Sequence, residues 1–195
     1  APEGVEPVDA PSFGAPNWFP HVGAEHHAVR TGVGLIDQTS FAKFEISGPG
    51  SLAALQWLSV CNMDKPVGTV IYTQFCNERG GIECDLTVTR LAADKWYVVT
   101  GAAFGAHDMG WVREQVVHRG LEDQVVITDV TSARAVVNLC GPLSREVLQS
   151  ACEEDVSNAS FKRSKAKELT IGSAPVLAIR IGYVGELGWE LHIPT

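Results

Sequence analysis

The stretch that most constrains the fold runs from residue 69 to residue 90, T-V-I-Y-T-Q-F-C-N-E-R-G-G-I-E-C-D-L-T-V-T-R, and it has the pattern of a β-hairpin. Two runs of β-forming residues flank N-E-R-G-G, whose glycines can supply the positive φ that a tight connection needs. The returning run alternates between an apolar face (Ile82, Cys84, Leu86, Val88) and a polar face (Glu83, Asp85, Thr87, Thr89). This period of two predicts a strand with one buried face.

Asp85 stands in the middle of this returning strand, and two interpretations are open from the residues alone. A carboxylate in mid-strand either faces solvent or points into a site. Spacing alone favours solvent, because carboxylates outside a recognisable motif are mostly solvated.

Length, composition and charge narrow the class of protein. The 195 residues, 45% hydrophobic and 19% charged, are typical of one large globular domain or two small ones. A net charge of −8 argues against nucleic acid or an anionic membrane as the main partner. No apolar run approaches the roughly 20 residues that span a bilayer.

Cysteine usage and the N-terminal residues bear on compartment and metal content. The five cysteines are odd in number, widely spaced and without a C-x-x-C pair, so we expect reduced thiols and no metal site. The first residues lack the charged and apolar regions of a signal peptide. We therefore expect a cytoplasmic protein, or a mitochondrial matrix protein in a eukaryote.

The chain divides into an arm and a body. Residues 1–23 contain five prolines and three glycines, which predicts a connecting arm without regular structure, with Trp18 and Phe19 docking on the body. Residues 24–195 predict the order β-α-β-β-β-α-β-β-α-β-β after a short first helix, with residues 153–168 irregular. Strands joined as hairpins predict an α+β fold of mixed, mainly antiparallel sheets with packed helices. Neither of the two common glycine-rich nucleotide-binding motifs is present, that is, G-x-G-x-x-G after a strand or G-x-x-x-x-G-K-S/T.

A second notable stretch is E-H-H-A-V-R-T-G-V-G-L-I-D at residues 25–37. Its adjacent histidines, His26 and His27, diverge by about 100° on a helix and cannot easily share a metal. Surface histidines are therefore the favoured interpretation. Arg30 and Asp37 are expected to form a structural ion pair.

A third stretch is G-Y-V-G-E-L-G-W-E at residues 182–190. Tyr183 ends one predicted strand and Glu190 lies inside the next, so a tight hairpin would bring the two side chains close together. The glycines would let a flat ligand approach the backbone. The alternative is an ordinary glycine-rich hairpin.

Together, the motifs at residues 25–37, 80–86 and 182–190 resemble, in their order, the tetrahydrofolate-binding aminomethyltransferase family. This family includes the glycine-cleavage T-protein and the folate domains of dimethylglycine and sarcosine dehydrogenases. The resemblance covers residues 18–195 and is nearer to the dehydrogenases, because D-Q-T-S-F at 37–41 stands where T-proteins usually read D-V-S-H-M. It implies a T-protein-like module that stops before the family's last β-rich domain. It also implies that residues 1–23 are the end of a connection from a separate N-terminal domain that binds FAD.

The resemblance also implies roles for three residues, and a fourth site residue is expected beside them. Asp85 matches the aspartate beside folate N10, which tunes proton transfer as the one-carbon unit is captured, so we now expect it in a site. Tyr183 matches a tyrosine that packs along the folate, and Glu190 matches a glutamate that binds the pterin ring. Tyr72, on the neighbouring strand, is a further expected cofactor contact. These roles suit the chemistry, because a carboxylate can accept two parallel N–H donors and aromatic walls suit a flat ring.

The function implied by the resemblance is transfer of a one-carbon unit to tetrahydrofolate. The chain would be the folate-binding part of a flavin-dependent dehydrogenase that demethylates dimethylglycine or sarcosine and yields 5,10-methylene-tetrahydrofolate. Its partners would be folate, the one-carbon unit from the methylated amine, and the flavin domain. Two alternatives stay open: a stand-alone aminomethyltransferase of glycine cleavage, and a non-catalytic folate-module subunit.

Overall fold

Two five-stranded antiparallel sheets form the framework of the computed structural model, which describes residue 4 and residues 8–195. Sheet 1 has the strand order β1-β7-β10-β9-β8, and sheet 2 has the order β3-β4-β5-β2-β6. The strands are β1 Gly34–Asp37, β2 Ala42–Ser47, β3 Val70–Cys76, β4 Ile82–Ala92, β5 Lys95–Thr100, β6 Val126–Asp129, β7 Arg134–Cys140, β8 Ala166–Ile171, β9 Ala174–Ile179 and β10 Gly188–Pro194. The helices are α1 Phe19–Thr31, α2 Ser51–Leu58, α3 Gly105–His118 and α4 Ser144–Ala151, and short 3-10 turns lie at Ala102–Phe104 and Thr131–Ala133. The predicted α+β class with antiparallel sheets is confirmed.

The predicted hairpin is present as β3 and β4. Its connection is closed by the Asn77 side chain, whose Oδ1 accepts hydrogen bonds from the backbone N–H groups of Arg79 at 3.0 Å and Gly81 at 2.9 Å. Gly80 has a φ of +77°, which a residue with a Cβ rarely adopts. The predicted apolar face is buried at Cys84, Leu86 and Val88, whereas Ile82 beside the turn is exposed, and on the predicted polar face Asp85 is exposed while Thr87 and Thr89 are buried.

The inner face of sheet 2 packs on α2 and α3 to form the main core. Phe44, Phe75, Val88 and Trp96 from the sheet are buried there with Leu55 and Val112 from the helices. Burying each large apolar side chain contributes roughly 1.5–3 kcal/mol. This core fixes which face of β4 is covered, and so leaves Asp85 on the opposite face.

The two sheets meet each other through a smaller core. Tyr97 and Val99 of β5 pack with Leu177 and Ile179 of β9. Sheet 1 buries its other face, including Trp189 and Leu191, against a separate cluster that contains Leu148 of α4. The face of sheet 1 that carries Glu190 is therefore turned toward the Asp85 face of sheet 2.

The prediction that residues 1–23 lack regular structure is wrong at its C-terminal end, where α1 begins at Phe19. Pro20 is tolerated because the first turn of a helix does not need its N–H. Within the described part of the chain, no residue of α1 is buried, and Trp18 and Phe19 are 47% and 57% exposed rather than docked on the body. Predictions for residues 1–3 and 5–7 fall outside the described residues.

Two further expectations are corrected. Residues 166–168, the end of the segment 153–168 predicted to be irregular, belong to edge strand β8, in which buried Leu169 alternates with polar neighbours. Lysine is common on such edges because it discourages pairing with another chain, which makes the segment resemble a loop in sequence. Arg30 pairs with Glu186 at 2.6 Å rather than with Asp37. In the described residues, no helix is long and apolar enough to cross a membrane.

Candidate functional site

The candidate site lies where the polar face of sheet 2 meets sheet 1. Tyr72 and Asp85 project from β3 and β4 on the face opposite to the main core. Glu190 projects from β10, and Tyr183 lies in the loop between β9 and β10. Partial burial raises the pKa of the Tyr183 phenol, and the negative charges of Glu190 and Asp85 raise it further. The structure thus places all four residues named by the sequence in one neighbourhood.

Asp85 is exposed but held in place by its neighbours. Gln74, its cross-strand partner, donates from Nε2 to Oδ1 of Asp85 at 2.9 Å. Hydrogen bonding to Asp85 is the main cause that raises the pKa of the Tyr72 phenol. The carboxylate is therefore oriented on the strand while still reachable by a ligand.

Glu190, in contrast, is only 3% exposed. Its Oε2 lies 3.3 Å from Nε2 of His192, and Nδ1 of His192 lies 2.9 Å from the Tyr97 hydroxyl. If Nε2 donates to the carboxylate, Nδ1 must accept from the phenol, so this chain sets the histidine tautomer. Burial lowers the pKa of His192 and raises the pKa of Tyr97, which keeps both groups neutral.

Two cations surround this buried chain. The Arg134 guanidinium lies 5.5 Å from the centre of the Tyr97 ring. Lys43 is fully buried and donates from Nζ to the carbonyl oxygens of Thr39 at 2.9 Å and Arg134 at 2.7 Å. Burial lowers the pKa of Lys43, and Asp129 and Asp37 partly oppose that shift. Hydrogen bonds between polar groups of the two sheets thus lie next to Glu190 and His192.

A group of metal-ligating residue types lies beneath the other face of β4. Ligand atoms of Cys84, His107 and Asp108 lie within 4.8 Å of one another. The Asp108 carboxylate already accepts a hydrogen bond from Thr100 Oγ1 at 2.6 Å and lies 3.0 Å from His107 Nδ1. Burial, with the charge of Asp108, raises the pKa of the Cys84 thiol, so it stays protonated. Hydrogen bonds to the Asp108 carboxylate therefore explain why these three side chains lie close together.

Sequence reasoning missed three residues of the site. His192 could have been found, because it lies two positions after Glu190 in a strand and so shares its face. Tyr97 is 95 positions from His192, and Asn138 faces Glu190 only through the pairing of β7 with β10. Only the tertiary arrangement identifies those two.

The chain belongs to the GCVT N-terminal domain family, which matches residues 2–195. It is 38% identical over 182 residues to the mitochondrial dimethylglycine dehydrogenase of Rattus norvegicus, covering 93% of this chain and 21% of that protein. It is 33% identical over 191 residues to the aminomethyltransferase of Shouchella clausii, covering 97% of this chain and 50% of that one. The chain thus spans about a fifth to a half of these relatives. The family expected from the motifs is confirmed.

The fold is shared with the solved structure of an aminomethyltransferase. The glycine cleavage system aminomethyltransferase T from Bartonella henselae superposes with a TM-score of 0.76 at 22% identity. The match covers 96% of this chain and 50% of that one. The T-protein-like architecture expected from the sequence is therefore confirmed.

Proposed function

We propose that this chain is the folate-binding module of a flavin-dependent dehydrogenase that demethylates an N-methylglycine. The module would transfer the one-carbon unit to tetrahydrofolate and yield 5,10-methylene-tetrahydrofolate. The observation that carries the proposal is that Tyr72 and Asp85 lie on the face of sheet 2 turned toward sheet 1, while Glu190 lies on the face of sheet 1 turned toward sheet 2. Tyr183 lies near enough to both carboxylates for their charges to raise the pKa of its phenol. The identity with dimethylglycine dehydrogenase supports the choice of reaction.

Glu190 is suited to hold the pterin ring. His192 engages Oε2 of the carboxylate, which leaves Oε1 for a ligand. A charge-assisted hydrogen bond from a ring N–H is strong, and it is stronger in a buried setting where water does not compete. Glu190 would therefore set both the position and the orientation of the ring.

Tyr183 and Tyr72 are suited to line the rest of the folate. Their side chains are 69% and 53% exposed, which is unusual for large aromatic groups unless they serve a contact. Their hydroxyl groups lie close enough to Asp85 for that carboxylate to raise the pKa of both. The two rings would hold the aromatic segment of the folate between Glu190 and Asp85.

Asp85 is suited to act on the one-carbon unit. A carbon at the oxidation level of formaldehyde carries positive charge as an iminium, which a nearby carboxylate stabilises. When folate N10 forms its bond to that carbon it must lose a proton, and Asp85 is placed to accept it. Gln74 would keep the accepting oxygen oriented.

The remainder of the protein belongs to the same proposal. We propose that FAD is bound by a separate domain, with residues 1–23 as the connection to it and residues 24–195 as the folate module. A further β-rich domain would follow. The greater length of the relatives supports this arrangement.

A second candidate is a stand-alone aminomethyltransferase of glycine cleavage. The observation in its favour is 33% identity to such an enzyme over 97% of this chain. A non-catalytic folate module is the third possibility. A parent protein without a flavin domain would favour the second candidate, and folate binding without any product would favour the third.

The proposal is tested by titration calorimetry with tetrahydrofolate under reducing conditions. We expect micromolar binding to the wild-type chain, and about tenfold weaker binding to Glu190→Gln, since one charge-assisted hydrogen bond is worth about 1.5–3 kcal/mol. The matched control is Glu114→Gln, on the exposed face of α3, which should bind as the wild type does. Equal affinity of all three proteins would overturn the role of Glu190, and no binding to a folded chain would contradict a self-sufficient site.

A further inference from the structure

Asn138 lies directly opposite Glu190 in the pairing of β7 with β10. Cross-strand partners of an antiparallel pair share one face, with Cβ atoms about 4.5–5.5 Å apart. On its other side, Asn138 pairs with Ile36 of β1, and Glu190 pairs in turn with Ile179 of β9. The four side chains thus form a row across sheet 1, polar in the middle and apolar at both ends.

The Asn138 side chain is incompletely satisfied. Its Oδ1 is buried and has no hydrogen-bond partner among the residues that the structure describes. Buried acceptors without a partner are uncommon in native proteins, and each one calls for an explanation. A ligand donor that approaches from the side of Glu190 would supply the missing partner.

The neighbouring carboxylate indicates what kind of ligand fits. Glu190 has Oε2 engaged by His192, which leaves Oε1, and the neighbouring Asn138 adds its unpaired amide oxygen as a second acceptor on the same face of the sheet. Ile36 and Ile179 flank them with apolar surface. Two acceptors in line with apolar ends suit the edge of a flat heterocycle that carries adjacent N–H donors, such as an exocyclic amino group beside a ring N–H.

We propose that Asn138 is a specificity-determining residue of the candidate site, whose amide oxygen accepts a hydrogen bond from the 2-amino group of the pterin ring. This inference rests on the proposed function, because it assumes that Glu190 holds the same ring. Glu190 supplies charge and affinity for any ring with an N–H donor. Asn138 adds selection, because a ring without the amino group leaves the amide oxygen unpaired.

The test compares tetrahydrofolate with its 2-desamino analogue by titration calorimetry. Asn138→Ala should weaken tetrahydrofolate binding by about 5- to 20-fold and analogue binding by less than about twofold, because the analogue never made the contact. Asn62→Ala, an exposed asparagine outside sheet 1, is the matched control and should alter neither ligand.

A second measurement separates recognition from a structural role. Asn138→Leu removes an unpaired buried acceptor, so its thermal unfolding midpoint should equal or exceed that of the wild type. Equal weakening of both ligands in Asn138→Ala, or a lowered midpoint in Asn138→Leu, would overturn the inference. Unchanged tetrahydrofolate binding in Asn138→Ala overturns the inference alone, whereas no binding to the folded wild type overturns the proposed function as well.

Discussion

Glu190 and His192 lie two residues apart on β10, with Oε2 of the glutamate 3.3 Å from Nε2 of the histidine and both side chains buried. One ring nitrogen of His192 contacts the carboxylate, and the other, Nδ1, lies 2.9 Å from the Tyr97 hydroxyl. A buried carboxylate fixed in this way needs no reorganisation when a ligand arrives, which favours tight binding. The polar chain therefore links Tyr97 of sheet 2 to Glu190 of sheet 1, the carboxylate that we propose binds the ligand.

The first prediction concerns pH. Burial lowers the pKa of His192 in the folded chain, so the unfolded chain binds a proton more readily below its ordinary value of about 6.5. The contribution of His192 to stability is therefore complete above about pH 6.5 and is lost as the pH falls below it, with a slope of up to about 1.4 kcal/mol per pH unit. Urea unfolding between pH 8 and pH 5 should show this loss.

The control for the pH prediction is a pair of matched variants. His192→Gln should reduce the dependence of the unfolding free energy on pH, because it removes the buried titrating group. His118→Gln, on the exposed face of α3, should keep the wild-type dependence. An unchanged slope in His192→Gln would show that other groups account for any loss of stability in acid.

The second prediction concerns Tyr97. Tyr97→Phe removes the donor to Nδ1 of His192 and leaves a buried acceptor unpaired, which should lower the free energy of unfolding by about 1–3 kcal/mol. Tyr183→Phe, in the exposed loop, should change it by less than about 0.5 kcal/mol. Chemical denaturation of both variants at pH 7.5 measures the difference. Equal effects would show that the Tyr97–His192 contact contributes no net stability.

Local patterns predict the elements, whereas the site depends on how the elements meet. Alternation predicts which face of β4 packs on the main core from Cys84 to Val88, and it places Asp85 on the other face. The same reasoning misses β8, because Lys167 and Glu168 give it the composition of a loop. It cannot find Asn138, whose significance arises only when β7 lies beside β10. Strand neighbours far apart in sequence leave no local periodicity to detect.

The third prediction concerns the start of α3. Thr100 donates to the buried Asp108 carboxylate at 2.6 Å, and Asp108 lies in the first turn of the helix, where negative charge is favourable. Thr100→Val keeps the shape but removes the donor, and it should lower the free energy of unfolding by about 1.5–3 kcal/mol. Thr170→Val, on edge strand β8, is the matched exposed control. Comparable losses in the two variants would contradict a special role for the Thr100 contact.

The last prediction concerns the fate of the one-carbon unit, measured in the parent protein. Asp85→Asn keeps the shape of the side chain but removes its charge and its ability to accept a proton. Amine oxidation should therefore continue, while the yield of 5,10-methylene-tetrahydrofolate should fall at least about tenfold. This magnitude follows because general base catalysis alone contributes about 10²–10⁴-fold. The uncaptured unit should instead hydrolyse to formaldehyde. Asp94→Asn, in the turn between β4 and β5, is the matched control and should leave the product ratio unchanged. A wild-type product ratio in Asp85→Asn would show that the proton leaves by another route, because the oriented carboxylate would then be dispensable.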